Sequence, residues 1–150
     1  MRKKILIGIG IVLIGMQLIP TNYPEASENN PEDLFINNTI SNDIESLIKT
    51  SCYDCHSNQS KYPWYSNIAP VSFVISNHIN EGREHLNFSE WETLSKLDKA
   101  EALDDLMEEV DDKKMPLNGY LMMHSDAELT DEERNKIMDW ADVFAESIFE

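Results

Sequence analysis

Apolar residues recur at intervals of three and four positions in four stretches of the chain, which is the spacing of an amphipathic α-helix. The pattern predicts helices over about 42–50, 71–81, 90–110 and 131–149. Their apolar faces carry Ile44, Leu47, Ile48, Phe73, Val74, Ile75, His78, Ile79, Trp91, Leu94, Leu97, Leu103, Leu106, Met107, Val110, Ile137, Trp140, Ala141, Phe144 and Ile148. No stretch alternates with the period of a strand, so we predict an all-α fold.

Start and stop residues agree with these helices. Ser41 is a suitable N-cap for the first helix, and Pro70 suits the first position of the second, for which Gly82 is a plausible terminator. Ser89–Glu92 and Thr130–Glu133 both match the capping-box pattern and are expected to open the third and fourth helices. We expect the first of these helices to pack against the last.

The amino terminus has the pattern of an export signal. Arg2, Lys3 and Lys4 precede an uncharged apolar run over 5–19, and no small-residue cleavage site follows. Residues 1–20 are therefore predicted to be a signal anchor or signal peptide, and the missing cleavage site favours the uncleaved anchor. The basic flank would stay in the cytoplasm and the rest of the chain would be exported.

The remaining chain divides into a polar stretch and a domain. Residues 21–38 are rich in Pro, Asn, Glu and Ser and are predicted to be a linker, which leaves 39–150 as the domain. The formal net charge of the chain is -16. Such an acidic surface repels phosphate backbones, so no nucleic-acid partner is expected. It would suit a basic or neutral protein partner, or it could serve solubility alone.

The two cysteines of the chain stand in the run Cys52-Tyr53-Asp54-Cys55-His56. Thiols three positions apart lie on one side of a helical turn. They can then add to the two vinyl groups on one edge of a porphyrin, and His56 follows as an axial imidazole for the iron. The motif predicts one covalently bound haem c attached through Cys52 and Cys55.

A Cys-x-x-Cys pair can also be a redox pair, a structural disulfide or part of a zinc site. A thioredoxin-like redox pair is expected in a βαβ context, whereas this chain offers helices. A disulfide across two intervening residues closes a very small loop and stabilises little. A zinc site needs four ligands, and no second pair of ligands follows the motif.

The segment around and after the motif resembles the bacterial haem-binding domain family. The matching residues are Cys52 to Ser57, Tyr62 to Ser66, Ala69 to Ser72, Gly82-Arg83, Leu86 to Trp91, and later Met115-Pro116, Tyr120 and His124. Tyr62 stands where the family more often has Trp. The resemblance spans about 40–145 and implies a membrane-anchored monohaem protein with a small cytochrome c-like helical domain around its haem.

The second axial ligand of the iron is open to several candidates. Met115 precedes Pro116 between two predicted helices, which resembles the loop that supplies the distal sulfur in many small cytochromes c. His124 is the alternative, and a sixth position left open to water or a gas is a third possibility. His78 is expected to be a core residue and His85 to be solvated.

An aromatic group and one arginine are further candidates for contact with the cofactor. Tyr62, Trp64 and Tyr65 could pack on the haem or donate to a propionate, and Arg83 could pair with the other propionate. Ordinary core packing, with Arg83 exposed, explains these four residues equally well.

These features together predict an electron carrier rather than an enzyme. The domain would face the periplasm or exterior of a bacterial cytoplasmic membrane, held by residues 5–19, or would be a secreted periplasmic protein if the signal is cleaved. A haem-based gas or redox sensor is the alternative, and a peroxidase-like enzyme is a weaker one. The redox partner cannot be read from the sequence.

Overall fold

Helices form all the regular secondary structure of the protein, and no strand is present. The structure is a computed structural model that describes residues 1–150. The helices are α1 (Arg2–Met16), α2 (Leu34–Asn37), α3 (Asn42–Ser51), α4 (Tyr53–His56), α5 (Val71–His85), α6 (Lys96–Asp111), α7 (Asn118–Leu121) and α8 (Asp131–Ser147). Short 3-10 turns cover Trp64–Asn67, Phe88–Thr93 and Ser125–Ala127. The all-α prediction is confirmed.

The core lies where α3, α6 and α8 meet. Ile44 and Ile48 of α3 share one buried cluster with Leu103 of α6 and Ala141 of α8. The partly buried side chains of Trp140, Phe144 and Ile148 pack against that cluster. The predicted contact between the first and last helices of the domain is therefore confirmed.

One of the two predicted capping boxes is correct. The Thr130 hydroxyl accepts a hydrogen bond from the Glu133 amide at 3.2 Å, so α8 begins where expected. The box predicted at Ser89–Glu92 is wrong, because residues Phe88–Thr93 form a 3-10 turn. The Ser89 hydroxyl donates to Asp33 instead, at 3.2 Å.

Helix α6 begins later than predicted, at Lys96. The Ser95 hydroxyl accepts from the Asp98 amide at 3.2 Å and supplies the capping box that the sequence analysis assigned to Ser89. The changed start also affects the predicted apolar face. Leu97 was expected to point inward, but its side chain is 71% exposed, since it lies in the first turn of the helix.

Gly82 does not end α5, which continues to His85. It is buried inside the helix, at the point where α5 crosses the short helix α4. A Cβ at position 82 would lie 2.9 Å from the backbone oxygen of Cys55, which is closer than real Cβ contacts. The glycine is used for this close approach, and the prediction that it terminates the helix is wrong.

Residues 21–38 run along the helical domain. The Tyr23 hydroxyl donates to the backbone oxygen of Ser72 at 3.1 Å, and the Arg83 guanidinium donates to the backbone oxygen of Glu25 at 2.9 Å. Asn30 and Asp33 are buried. The boundary between linker and domain at residue 38 stays a prediction, but this polar segment is in contact with the domain along its length.

Helix α1 extends from the domain with its apolar side chains uncovered. None of its residues is buried, and the exposed ones include Ile7, Ile11 and Ile14. The Gln17 side chain holds the end of the helix to the backbone of Ala69 through two hydrogen bonds of 2.9 and 3.1 Å. No helix combines the length and the apolar character needed to cross a membrane.

The crossing of α4 and α5 yields a test of the fold. Gly82→Ala must push the two helices apart, so we expect the free energy of unfolding to fall by about 1–3 kcal/mol. Gly119→Ala is the matched control, because nothing lies within 4 Å of a Cβ there. Urea titrations would measure both. Equal stability of the two variants would contradict a tight crossing at Gly82.

Candidate cofactor site

The Cys-x-x-Cys-His run forms a single helical turn at the end of α3. Cys52 ends α3, and α4 then holds Tyr53 to His56. Because of this geometry Cys52, Cys55 and His56 all line one cavity, while Tyr53 is buried in the core. The turn therefore presents both thiols and the imidazole to the same space, as the spacing predicts.

The cavity has a volume of about 540 Å³ and lies between α4, α5, α6 and the segment 115–120. Its apolar wall includes Leu86, Phe88, Leu106, Val110 and Leu117. A cavity of that volume with an apolar part to its wall is typical of sites for organic cofactors.

His56 is held in one orientation by a backbone carbonyl. Its Nδ1 lies 3.0 Å from the oxygen of Leu86, just beyond the end of α5. A carbonyl only accepts hydrogen bonds, so Nδ1 carries the proton and Nε2 has a free lone pair. Burial also lowers the pKa of His56 below its ordinary value of 6.5. A neutral imidazole with its other nitrogen anchored is the form that binds a metal ion.

Both thiols are protonated at neutral pH. Burial raises the pKa of Cys52 to about 12 and that of Cys55 to about 11. Reactive thiol pairs need the opposite, a lowered pKa that produces the thiolate. The environment therefore disfavours a thioredoxin-like role and suits a neutral sulfur such as a thioether. No group of three or more His, Cys, Asp or Glu side chains could hold a metal ion, so the zinc alternative gains no support.

Asp33 stabilises the Cys-x-x-Cys-His turn by a hydrogen bond with Tyr53. The sequence did not lead us to predict this role. Its carboxylate is 2% exposed and accepts a hydrogen bond of 2.9 Å from the Tyr53 hydroxyl. It also accepts from the Phe35 amide at 3.0 Å and so caps α2. An Asp directly before Leu34 and Phe35 is an N-cap signal that could have identified it, although not its contact with Tyr53.

Met115 lies on the cavity wall together with Pro116 and Leu117. The backbone of this segment is held by the buried Arg134, which donates to the oxygen of Met115 at 2.7 Å and to that of Val110 at 2.9 Å. A fixed backbone at Met115 places a thioether in the same cavity as His56.

The other histidines differ in their positions. His124 is not part of the cavity wall; its ring stacks on that of Tyr120, with centroids 4.1 Å apart. His78 is half-buried and lines the cavity rather than the core, which corrects the prediction for this residue. His85 is exposed at the edge of the cavity, so the prediction that it is solvated is confirmed.

Comparison with known proteins identifies the family. The sequence model of the haem-binding domain matches residues 11–143, which is most of the chain. The chain belongs to the haem-binding domain family. The comparisons with curated proteins and with solved structures found no match.

In this haem-binding domain, four of the predicted contact residues lie outside the cavity wall. Tyr62 donates to the backbone oxygen of Pro24 at 2.6 Å, and Arg83 donates to the Ser60 hydroxyl at 3.0 Å. Trp64 is 74% exposed, and the Tyr65 hydroxyl lies 3.3 Å from His124. These positions do not support the predicted contact of the four residues with the haem, which stays a prediction. Tyr62 and Arg83 donate instead to backbone oxygens of the amino-terminal segment 21–38.

The cavity wall of the haem-binding domain is also rich in carboxylates. Asp54, Glu81, Asp105, Glu108 and Glu109 all belong to it. Their position adds to the negative potential around the site, and a cationic group approaching it would be attracted.

Proposed function

We propose that this haem-binding domain is a monohaem c-type cytochrome that transfers electrons. Its single haem would be bound through thioethers to Cys52 and Cys55, with His56 as one axial ligand of the iron and Met115 as the other. The observation that carries the proposal is the convergence of these four side chains on one cavity.

The chemistry of the donors fits such a haem. Each protonated thiol can add across one vinyl group, so that sulfur bonds to one carbon and the thiol hydrogen ends on the other. The resulting sulfur is neutral, as the desolvated surroundings of Cys52 and Cys55 require. When bound, the haem supplies a one-electron couple between ferric and ferrous iron.

The protein's own residues control the coordination of the iron. The Leu86 carbonyl fixes the ring of His56 and raises its basicity as a ligand. Arg134 fixes the backbone of Met115. An axial sulfur raises the reduction potential relative to a second histidine, and a closed sixth position favours electron transfer over binding of a gas.

Attachment of haem is tested on protein exported from a strain that matures c-type cytochromes. Mass analysis of the wild-type chain is expected to show one added haem that survives acid-acetone extraction. Cys52→Ala and Cys55→Ala are each expected to weaken or abolish attachment, because each removes one thioether. Ser51→Ala, one position before the motif, is the matched control and should retain the haem. A matured chain without added haem would contradict the proposal.

The distal ligand is tested by carbon monoxide binding to the ferrous protein. Wild-type protein is expected to bind carbon monoxide slowly, since Met115 must first leave the iron. Met115→Ala should bind it rapidly and have a lower reduction potential. His124→Ala, outside the cavity, and Met122→Ala, 83% exposed, should both behave like wild type. Rapid binding by the wild-type protein would favour the alternative function, a haem-based sensor.

We further propose that α1 attaches the domain to the outer face of a bacterial cytoplasmic membrane. The support is its uncovered apolar surface behind the basic residues Arg2 to Lys4. The mature protein is expected in the membrane fraction, with residues 1–20 still present in its mass. A shortened chain in the soluble periplasmic fraction would show instead that the segment is a cleaved signal.

A further inference from the structure

Four aromatic side chains form a continuous line from the cavity to the protein surface. Tyr120 belongs to the cavity wall, and its ring stacks on His124 with centroids 4.1 Å apart. The ring of His124 meets that of Tyr65 at 6.4 Å, and Tyr65 meets Trp64 at 5.7 Å. Trp64 ends the line with 74% of its side chain exposed.

Each phenol in this line has a hydrogen-bonding partner that can take its proton. The Tyr120 hydroxyl donates to Asp54 at 2.8 Å. The Tyr65 hydroxyl lies 3.3 Å from Nε2 of His124, whose Nδ1 faces the backbone oxygen of Tyr120 at 3.2 Å. A tyrosine loses an electron readily only when its proton can leave at the same time, and both tyrosines meet that condition within the structure.

We propose that Tyr120, His124, Tyr65 and Trp64 form a relay that carries an oxidising equivalent from the haem to the surface. The inference rests on the proposed function, because it needs a haem in the cavity. It gives the domain a second capacity besides reversible electron transfer. When Met115 leaves the iron and a hydroperoxide oxidises the haem in its place, the relay moves the resulting hole away from the cavity and onto Trp64.

The electrons and protons of this reaction balance. Hydrogen peroxide takes up two electrons and two protons and leaves as two water molecules. One electron comes from Trp64 through the relay, and the indole proton passes to solvent, which leaves a neutral tryptophanyl radical. The second electron is taken from ferrous haem iron, which becomes ferric, and the second proton comes from solvent. Tyr120 and Tyr65 each lose an electron in passing and regain it, their protons shifting to Asp54 and His124 and back.

No comparable route leads through the other aromatic residues near the haem. Tyr53 is 4% exposed and lies between Phe88, at 5.5 Å between centroids, and Phe35, at 5.7 Å; a phenylalanine ring is not readily oxidised, so that direction reaches no exposed oxidisable side chain. Tyr62 pairs with Tyr23, at 4.6 Å, and neither residue lines the cavity. The line ending at Trp64 joins the cavity to an exposed, oxidisable side chain.

The test is radical trapping on the haem-loaded protein with its iron reduced to the ferrous state. Hydrogen peroxide is added in the presence of a nitroso spin trap, and peptide mass spectrometry locates the trapped residue. Wild-type protein is expected to carry the adduct on Trp64. In Trp64→Phe the adduct should appear on Tyr65, one step back along the relay. Tyr65→Phe should lose the Trp64 adduct and carry it on Tyr120. Trp140→Phe, which changes a half-buried tryptophan of α8, should leave the Trp64 adduct unchanged.

The possible results separate the relay from the proposed function. A haem-loaded protein trapped at Tyr53, Tyr62 or Tyr23, or trapped nowhere, would overturn the relay and leave the cytochrome proposal intact. Persistence of the Trp64 adduct in Tyr65→Phe would also overturn it. A chain that carries no haem before peroxide is added would refute the proposed function, and the relay with it.

Discussion

The contact between α4 and the C-terminal half of α5 is the constraint on which the site depends. Gly82 lacks a side chain, and the backbone of Cys55 occupies the space that a Cβ would need. This approach brings His56 within hydrogen-bonding distance of the Leu86 carbonyl. It also makes α5 one wall of the cavity into which both thiols point. Separating the two helices would alter the orientation of the imidazole and the depth of the cavity together.

Small polar side chains make the rest of this packing possible. Ser60, Ser66, Ser72, Ser76 and Ser89 are buried although none is apolar. Ser66, Ser72, Ser76 and Ser89 pair with residues 21–38 through hydroxyl or backbone groups, as the contact of Tyr23 with Ser72 shows. The Ser60 hydroxyl accepts from Arg83 instead. Buried polar groups cost little when hydrogen-bonded, so these serines can be buried where the two segments meet.

Asp33 is the clearest example of a buried polar group that is hydrogen-bonded. A buried carboxylate is costly unless its oxygens are satisfied, and here they accept from Phe35, Tyr53 and Ser89. These partners lie before the Cys-x-x-Cys-His turn, within it and after α5. One side chain thus links three segments that are distant in the sequence. Neither Asp33 nor any of these three partners belongs to the cavity wall.

The sequence by itself determined the features that depend on near neighbours. The helices near 42–50 and 131–149, the capping box at Thr130 and the turn that directs Cys52, Cys55 and His56 to one side all follow from spacing over a few residues. The presence of Met115 in a segment between helices could likewise be read from the pattern. Hydrogen bonding and side-chain periodicity act over these short separations, so local sequence is sufficient to predict them.

Only the tertiary structure decided how residues far apart share partners. Ser89 and Ser95 present the same capping pattern, but the hydroxyl of Ser89 accepts from the amide of Asn58 and donates to Asp33, whereas that of Ser95 caps α6. Gly82 is of a residue type that often ends helices, but here it allows α5 to pass close to the backbone of Cys55. Arg83 donates to the amino-terminal segment 21–38 instead of lining the cavity. In each case the outcome depends on an atom from a distant part of the chain that forms a hydrogen bond or a close contact with the residue. The position of that atom is known only once the chain is folded.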